Sequence, residues 1–111
     1  MGCKAFDMYR CLHLSRILGC AAVAVDVYGD AFPRAKREDR GNIGEAFDHM
    51  NALLVDPLYF RRLLRAYIEE SVKQLNGDPK RVGAIGFCFG GACVLEVSTH
   101  GALQFRDSNT F

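Results

Sequence analysis

No sign of charge dominates this chain: its 111 residues carry a formal net charge of +1 at pH 7. That balance gives no electrostatic case for a nucleic-acid partner or a membrane surface. Lys and Arg are scattered apart from Arg34-Ala35-Lys36-Arg37 and Arg61-Arg62, and the second pair reads as a solvated helix face. No apolar run approaches the length of a membrane span. The N-terminus lacks the charged-then-apolar pattern of a secretory leader. Met1-Gly2-Cys3 invites comparison with a myristoylation site, but Phe6 stands where Ser or Thr is needed. A soluble, cytoplasmic protein is the expectation.

The cysteines are Cys3, Cys11, Cys20, Cys88 and Cys93, an odd number with no C-x-x-C spacing. The three histidines make no ligand-like spacing with them, so neither a disulfide framework nor a metal site is expected. Reduced thiols fit better, Cys93 being read as a small core side chain. No internal repeat and no low-complexity tract occurs. The length, residues 1–111, suits one small domain.

What the chain does contain is Val82-Gly83-Ala84-Ile85-Gly86-Phe87-Cys88-Phe89-Gly90-Gly91. An apolar run enters it and an apolar segment of helical length leaves it. Between them, Gly86-x-Cys88-x-Gly90 has the spacing of a nucleophile elbow, with cysteine where serine is more usual. Such an elbow holds one side chain on a sharp strand-to-helix turn with strained backbone at the nucleophile. Glycines two before and two after, Gly86 and Gly90, remove side chains that would clash, and Gly91 lets the new helix approach closely. The helix N-terminus favours a thiolate at Cys88, and the N–H of Phe89 would point at a developing oxyanion. The blander reading is a buried cysteine after a core strand, since free cysteine is among the most buried residue types.

The other elements alternate. Asp7 can cap a helix from Met8 to about Leu18, which Gly19 stops. Ala21 to Val27 is a compact Val-rich run read as a buried parallel strand. The turn Tyr28-Gly29-Asp30 follows, then a polar, basic loop from Pro33 to Asn42 without a regular period. Loops at the carboxyl ends of parallel strands surround the ligand crevice, so this one either touches substrate or is simply solvated. Ile43 to about Leu54 reads as a short helix. Asp56-Pro57 starts another, along which Phe60, Leu63, Leu64, Tyr67, Ile68, Val72 and Leu75 recur at helical spacing. A stripe of this kind is far more often core than cofactor contact, and no cofactor is expected. Gly77 ends that helix, Val82 to Phe87 forms the strand into the elbow, and Gly90 to about Thr99 is the helix behind it. From His100 the sequence turns polar. The alternation predicts an α/β fold of parallel strands flanked by helices.

Gly86-Phe87-Cys88-Phe89-Gly90-Gly91 resembles the signature of the dienelactone hydrolase family, cysteine-using members of the α/β-hydrolase fold. Val23-Ala24-Val25-Asp26-Val27-Tyr28-Gly29-Asp30 is similar to the strand and turn that the family carries upstream. The stretch from Asn51 to Lys80, with Asp56-Pro57 at its start and Gly77-Asp78-Pro79-Lys80-Arg81-Val82 at its exit, resembles the family's intervening helix. The resemblance spans about Asp7 to Thr99. It implies a hydrolase in which Cys88 attacks the carbonyl of a small ester, lactone or thioester and forms an acyl-enzyme that water then hydrolyses.

The same resemblance implies a base and an orienting acid that follow the nucleophile, aspartate before histidine. After Cys88 the one histidine is His100, and about a dozen helical positions put it roughly 18 Å away. His13 and His49 precede the elbow, on helices that in the family lie away from the site. Asp107 follows His100, in reverse order. Lys4 falls where the family often has a glutamate: either the correspondence slips there or the site is altered. Asp30 stands where a basic residue can receive a substrate carboxylate, so a carboxylated dienelactone is not the expected substrate. In the family a further strand lies between those matching Ala21–Val27 and Val82–Phe87, leaving them about 9.6 Å apart with a vacant slot. The expectation is a piece of the α/β-hydrolase fold, lacking its first strands and C-terminal part. Open strand edges of that kind invite self-association. Two alternatives stand beside an incomplete hydrolase: a non-catalytic remnant that binds a partner chain, and a redox-responsive thiol protein built on Cys88.

Overall fold

The computed structural model describes residues 4–99. Cys3, His100 and the polar tail that includes Asp107 lie outside the described residues. The chain divides into two compact units, Met1–Val55 and Asp56–Phe111.

In the first unit, helix α1 (Ala5–Leu18) starts three residues before the expected Met8. Asp7 sits inside its first turn, and Oδ2 of its carboxylate accepts the Lys4 N–H at 2.9 Å. An acidic group there satisfies an otherwise orphan donor and complements the positive end of the helix. The Ala5 N–H donates to Glu38 Oε1 at 3.0 Å. Gly19 ends α1 as expected, with φ +64 and its N–H donating to the Ser15 carbonyl. Phe6, Met8, Tyr9, Leu12, Ile17 and Leu18 of α1 are exposed.

A 3₁₀ turn spans Gly29–Ala31, a one-turn helix α2 spans Arg34–Arg37, and a second 3₁₀ turn spans Arg40–Asn42. The basic stretch expected as an aperiodic loop is thus mostly short helical turns. Asp39 supports the second turn by accepting the Gly41 N–H at 2.8 Å. Helix α3 then runs Ile43–Leu54, with the expected limits. The core of this unit is Tyr28, Phe32, Ala46 and Leu53. Phe32 stacks on His49 with ring centroids 5.1 Å apart and meets Tyr28 edge-on at 5.9 Å.

In the second unit, helix α4 (Pro57–Gln74) is capped by Asp56, whose Oδ1 accepts the Tyr59 N–H at 3.2 Å. Pro57 takes the first helical position, where its missing N–H does no harm. From the expected stripe, Phe60 and Leu64 are buried, while Leu63, Tyr67, Ile68 and Val72 are half-buried. At the C-terminus the left-handed position falls on Asn76, φ +52, rather than on Gly77. The Gly77 N–H instead reaches back to the Val72 carbonyl at 2.9 Å. Helix α5 (Phe89–Thr99) packs on α4 through a core of Phe60, Leu64, Phe89 and Val97.

The expected α/β architecture is not observed. Among the described residues there is no strand: residues 21–26 and 82–87 carry no regular structure. The reading of Ala21–Val27 and Val82–Phe87 as parallel strands of an α/β-hydrolase sheet is therefore corrected to irregular segments between helices. The physical reason is that a helix satisfies its backbone within its own turn, whereas a strand exists only when a neighbour supplies the other half of each hydrogen bond. Val-rich composition and short apolar runs describe what a paired strand looks like, not whether its pair is present.

Candidate active site

The unit that holds Cys88 is organised around the start of α5. The backbone reaches this point through a close turn: the Gly90 N–H donates to the Phe87 carbonyl at 2.9 Å, and the Gly91 N–H to the Cys88 carbonyl at 3.0 Å. Cys88 itself has φ +57, a left-handed conformation that costs a non-glycine residue about 1–2 kcal/mol. Its side chain is exposed. The chain therefore presents a thiol outward on a strained residue immediately before a helix.

The two flanking glycines differ. A Cβ on Gly86 would lie 2.0 Å from the Gly90 carbonyl oxygen and 2.7 Å from the Gly91 nitrogen. Those are backbone atoms of the turn itself, so nothing can move aside cheaply. A Cβ on Gly90 would meet nothing within 4 Å, and one on Gly91 would make ordinary contact with the Gly86 carbonyl at 3.5 Å. Glycine is required at 86 for the approach of the segment to the helix. Gly90 and Gly91 contribute the backbone that comes close.

Phe89, directly after Cys88, turns its ring inward. It is 6 % exposed and stacks on Phe60 of α4, which is 3 % exposed, with centroids 5.8 Å apart and planes 13° from parallel. The two helices are further joined by an ion pair between Arg61 Nε and Glu96 Oε1. Arg61 thus does not belong to the purely solvated face expected of Arg61-Arg62; Arg62 is exposed. Neither the ring stack nor the ion pair has a local sequence signal, because each joins residues about thirty positions apart. The apolar stripe of α4 pointed to Phe60 as core, without naming its partner.

Cys93, one turn into α5, is half-buried, and burial pushes its thiol up to about 11. Desolvation penalises the thiolate, and a backbone hydrogen bond offsets only part of that. Cys11 is also raised, by burial and then by the charge of Asp7. Between Phe89 and Thr99 there is neither histidine nor aspartate, and the acidic residue there, Glu96, is engaged by Arg61.

Gly86, Cys88, Phe89, Gly90 and Gly91 are gathered at one turn. Tyr28, Gly29 and Asp30 belong to the other unit. There Tyr28 is buried against Phe32 and His49, Gly29 has φ +58 with its N–H on Asp26 Oδ1, and Asp30 is exposed. His49 is half-buried in that aromatic group, 3.8 Å from Glu45. His13 is exposed on α1. No group of three or more potential ligands capable of holding a metal occurs among the described residues.

Comparison with protein-family models matches the dienelactone hydrolase family over residues 13–107. The chain belongs to the dienelactone hydrolase family. Neither the curated proteins nor the solved structures yielded a match. Membership of the dienelactone hydrolase family points to hydrolase activity in general. No helix among the described residues is long and apolar enough to cross a membrane.

Proposed function

We propose that this dienelactone hydrolase family chain uses Cys88 as a nucleophile toward the carbonyl of a small ester, lactone or thioester. The observation that carries this reading is the combination of an exposed thiol, φ +57 at the residue bearing it, and a helix that begins at the next residue. Strained backbone that the surroundings hold in place is the mark of a residue whose direction matters. In the proposed step the Cys88 Sγ thiolate bonds to the carbonyl carbon, and the displaced π electrons become an oxyanion. The Phe89 N–H is the proposed donor to that oxyanion. Collapse breaks the C–O or C–S bond and releases an alkoxide or thiolate that takes a proton from water (in a lactone the ring opens and the alkoxide stays on the acyl group), leaving a thioester on Cys88 that water cleaves.

The test is hydrolysis of p-nitrophenyl acetate by the purified chain, beside Cys88→Ser and Cys88→Ala. Turnover lost in the Ala variant supports the full reading and implies a base acting on Cys88. A single stoichiometric acetylation of Cys88 without turnover supports the elbow as nucleophile and denies turnover to the isolated chain. Equal reactivity of the parent and Cys88→Ala overturns the proposal.

A binding role is favoured by a separate observation. Ile85 and Phe87 are 65 % and 69 % exposed, Val23 and Val25 are exposed as well, and residues 82–86 show no backbone hydrogen bond among the described residues. Exposed apolar side chains on segments without regular structure are what a second copy of the chain could pair with. Concentration-dependent self-association that Ile85→Lys abolishes supports this reading, and a monomer at all concentrations sinks it.

A further inference from the structure

We infer that Phe60 is a positioning residue for the acyl-transfer step at Cys88, acting through its stack on Phe89. This rests on the proposed reading of Cys88 as nucleophile and of the Phe89 N–H as oxyanion donor. Phe89 is both the first residue of α5 and the neighbour of the strained Cys88, so its orientation sets the direction of its N–H relative to Sγ.

Three features hold that residue. On its N-terminal side, Gly86 comes so close to the Gly90 backbone that no Cβ fits between them. On its C-terminal side, Glu96 of α5 is tied to Arg61 of α4. At Phe89 itself, the ring lies nearly parallel to Phe60, both rings being buried. The first fixes where the turn lies, and the second is a weaker contact further along α5. The stack fixes rotation of Phe89 about the helix axis, because a flat ring facing a flat ring loses contact when it tilts. An aliphatic side chain at position 60 could fill the space without imposing that orientation. Arg61, one residue on, pairs with Glu96, so α4 and α5 meet here through both the ring stack and an ion pair.

Two reagents separate positioning from simple support. In acetylation by p-nitrophenyl acetate, the Cys88 S–C bond forms, the carbonyl carries a transient oxyanion, and p-nitrophenolate leaves with the ester bond's electron pair. In alkylation by iodoacetamide, the S–C bond forms as iodide leaves, and no oxyanion arises. The first reaction needs the Phe89 N–H and the second does not. The ratio of the two rates at Cys88, mapped by mass spectrometry in the full chain, reads the donor's placement and cancels changes in thiol access.

Phe60→Leu keeps apolar bulk and removes the ring. Its acetylation should fall roughly 10-fold while alkylation stays within about twofold of the parent, since a misplaced oxyanion donor slows only the step that develops the charge. Phe60→Tyr, which keeps the ring, should restore most of the ratio. Leu64→Ala, a loss in the same core that leaves the stack, should leave the ratio unchanged. Helix content by circular dichroism identifies the folded variants; if Phe60→Tyr does not fold, Phe60→Leu against Leu64→Ala decides. Equal falls in both rates, or an unchanged ratio in Phe60→Leu, would overturn the inference. Failure of the underlying reading looks different: the parent chain itself would alkylate at Cys88 and show no acetylation there.

Discussion

The rings of Phe60 and Phe89 are stacked nearly parallel, 5.8 Å between centroids and 13° from parallel, and Phe89 directly follows the residue that bears the exposed Cys88 thiol. The stack joins α4 to the first turn of α5. A left-handed residue survives only where its neighbours determine its conformation more strongly than its own preference does. Here the buried ring on one side and the glycine contact on the other supply that constraint.

Substitution at the two elbow glycines should therefore have opposite effects. Gly86→Ala places a methyl group against immovable backbone and should lose about 1–3 kcal/mol or more. Gly90→Ala meets open space within α5 and should gain up to about 1 kcal/mol through the reduced entropy of the unfolded chain. Denaturant unfolding of the two variants measures both. Similar losses at the two positions would show that the close approach at Gly86 is not what the turn depends on.

Cys88→Gly should stabilise the fold while removing the nucleophile. Relief of the left-handed strain is worth about 1–2 kcal/mol, offset in part by the extra freedom of glycine in the unfolded chain, about 0.5–1 kcal/mol. A raised unfolding midpoint together with loss of acetylation is the expected pair of results. A lowered midpoint would mean that the Cys88 side chain contributes packing that its exposure conceals.

The Arg61–Glu96 pair should be worth little on its own. Both side chains are partly exposed, so a double-mutant cycle with Arg61→Met and Glu96→Gln should give a coupling of about 0.2–1 kcal/mol that shrinks with added salt. A coupling of several kcal/mol, insensitive to salt, would contradict this.

Alkaline pH should destabilise the second unit through Cys93. The folded thiol is pushed up to about 11 from an ordinary 9.0, so the native state holds its proton where the unfolded chain has released it. Stability from this group is complete below about pH 9 and is lost as pH climbs toward 11, because the native state binds more protons in that window. Cys93→Ala should flatten the decline in unfolding free energy across it. Alkylation at pH 8 should reach the exposed Cys88 and Cys20 before Cys93.

Much of the helical framework was legible residue by residue. Ile43–Leu54 appeared with its expected limits, and Asp56-Pro57 capped α4 as the local chemistry dictates. Gly19 took the left-handed position that stops α1. The start of α1 and the end of α4 were displaced slightly. Asp7 serves equally well inside a first turn as before it, and Asn76, just before the Gly77 expected to end α4, tolerates a left-handed conformation. These are choices among near-equal local solutions.

The two Val-rich and Gly-rich apolar segments mark the limit of such reading. Their composition suited strands, yet a strand is decided by a partner elsewhere in the chain, and among the described residues no partner is present. The stack of Phe60 on Phe89 and the pairing of Arg61 with Glu96 were equally invisible, since both depend on how α4 packs against α5. What the sequence alone determined were the longer helices, the Asp56 cap, the Gly19 stop and the glycine-flanked turn at Cys88, because each is settled by hydrogen bonds and steric contacts within a few residues. Tertiary structure alone decided whether extended segments become a sheet and which buried ring braces Phe89, because those energies arise only between residues distant in the chain.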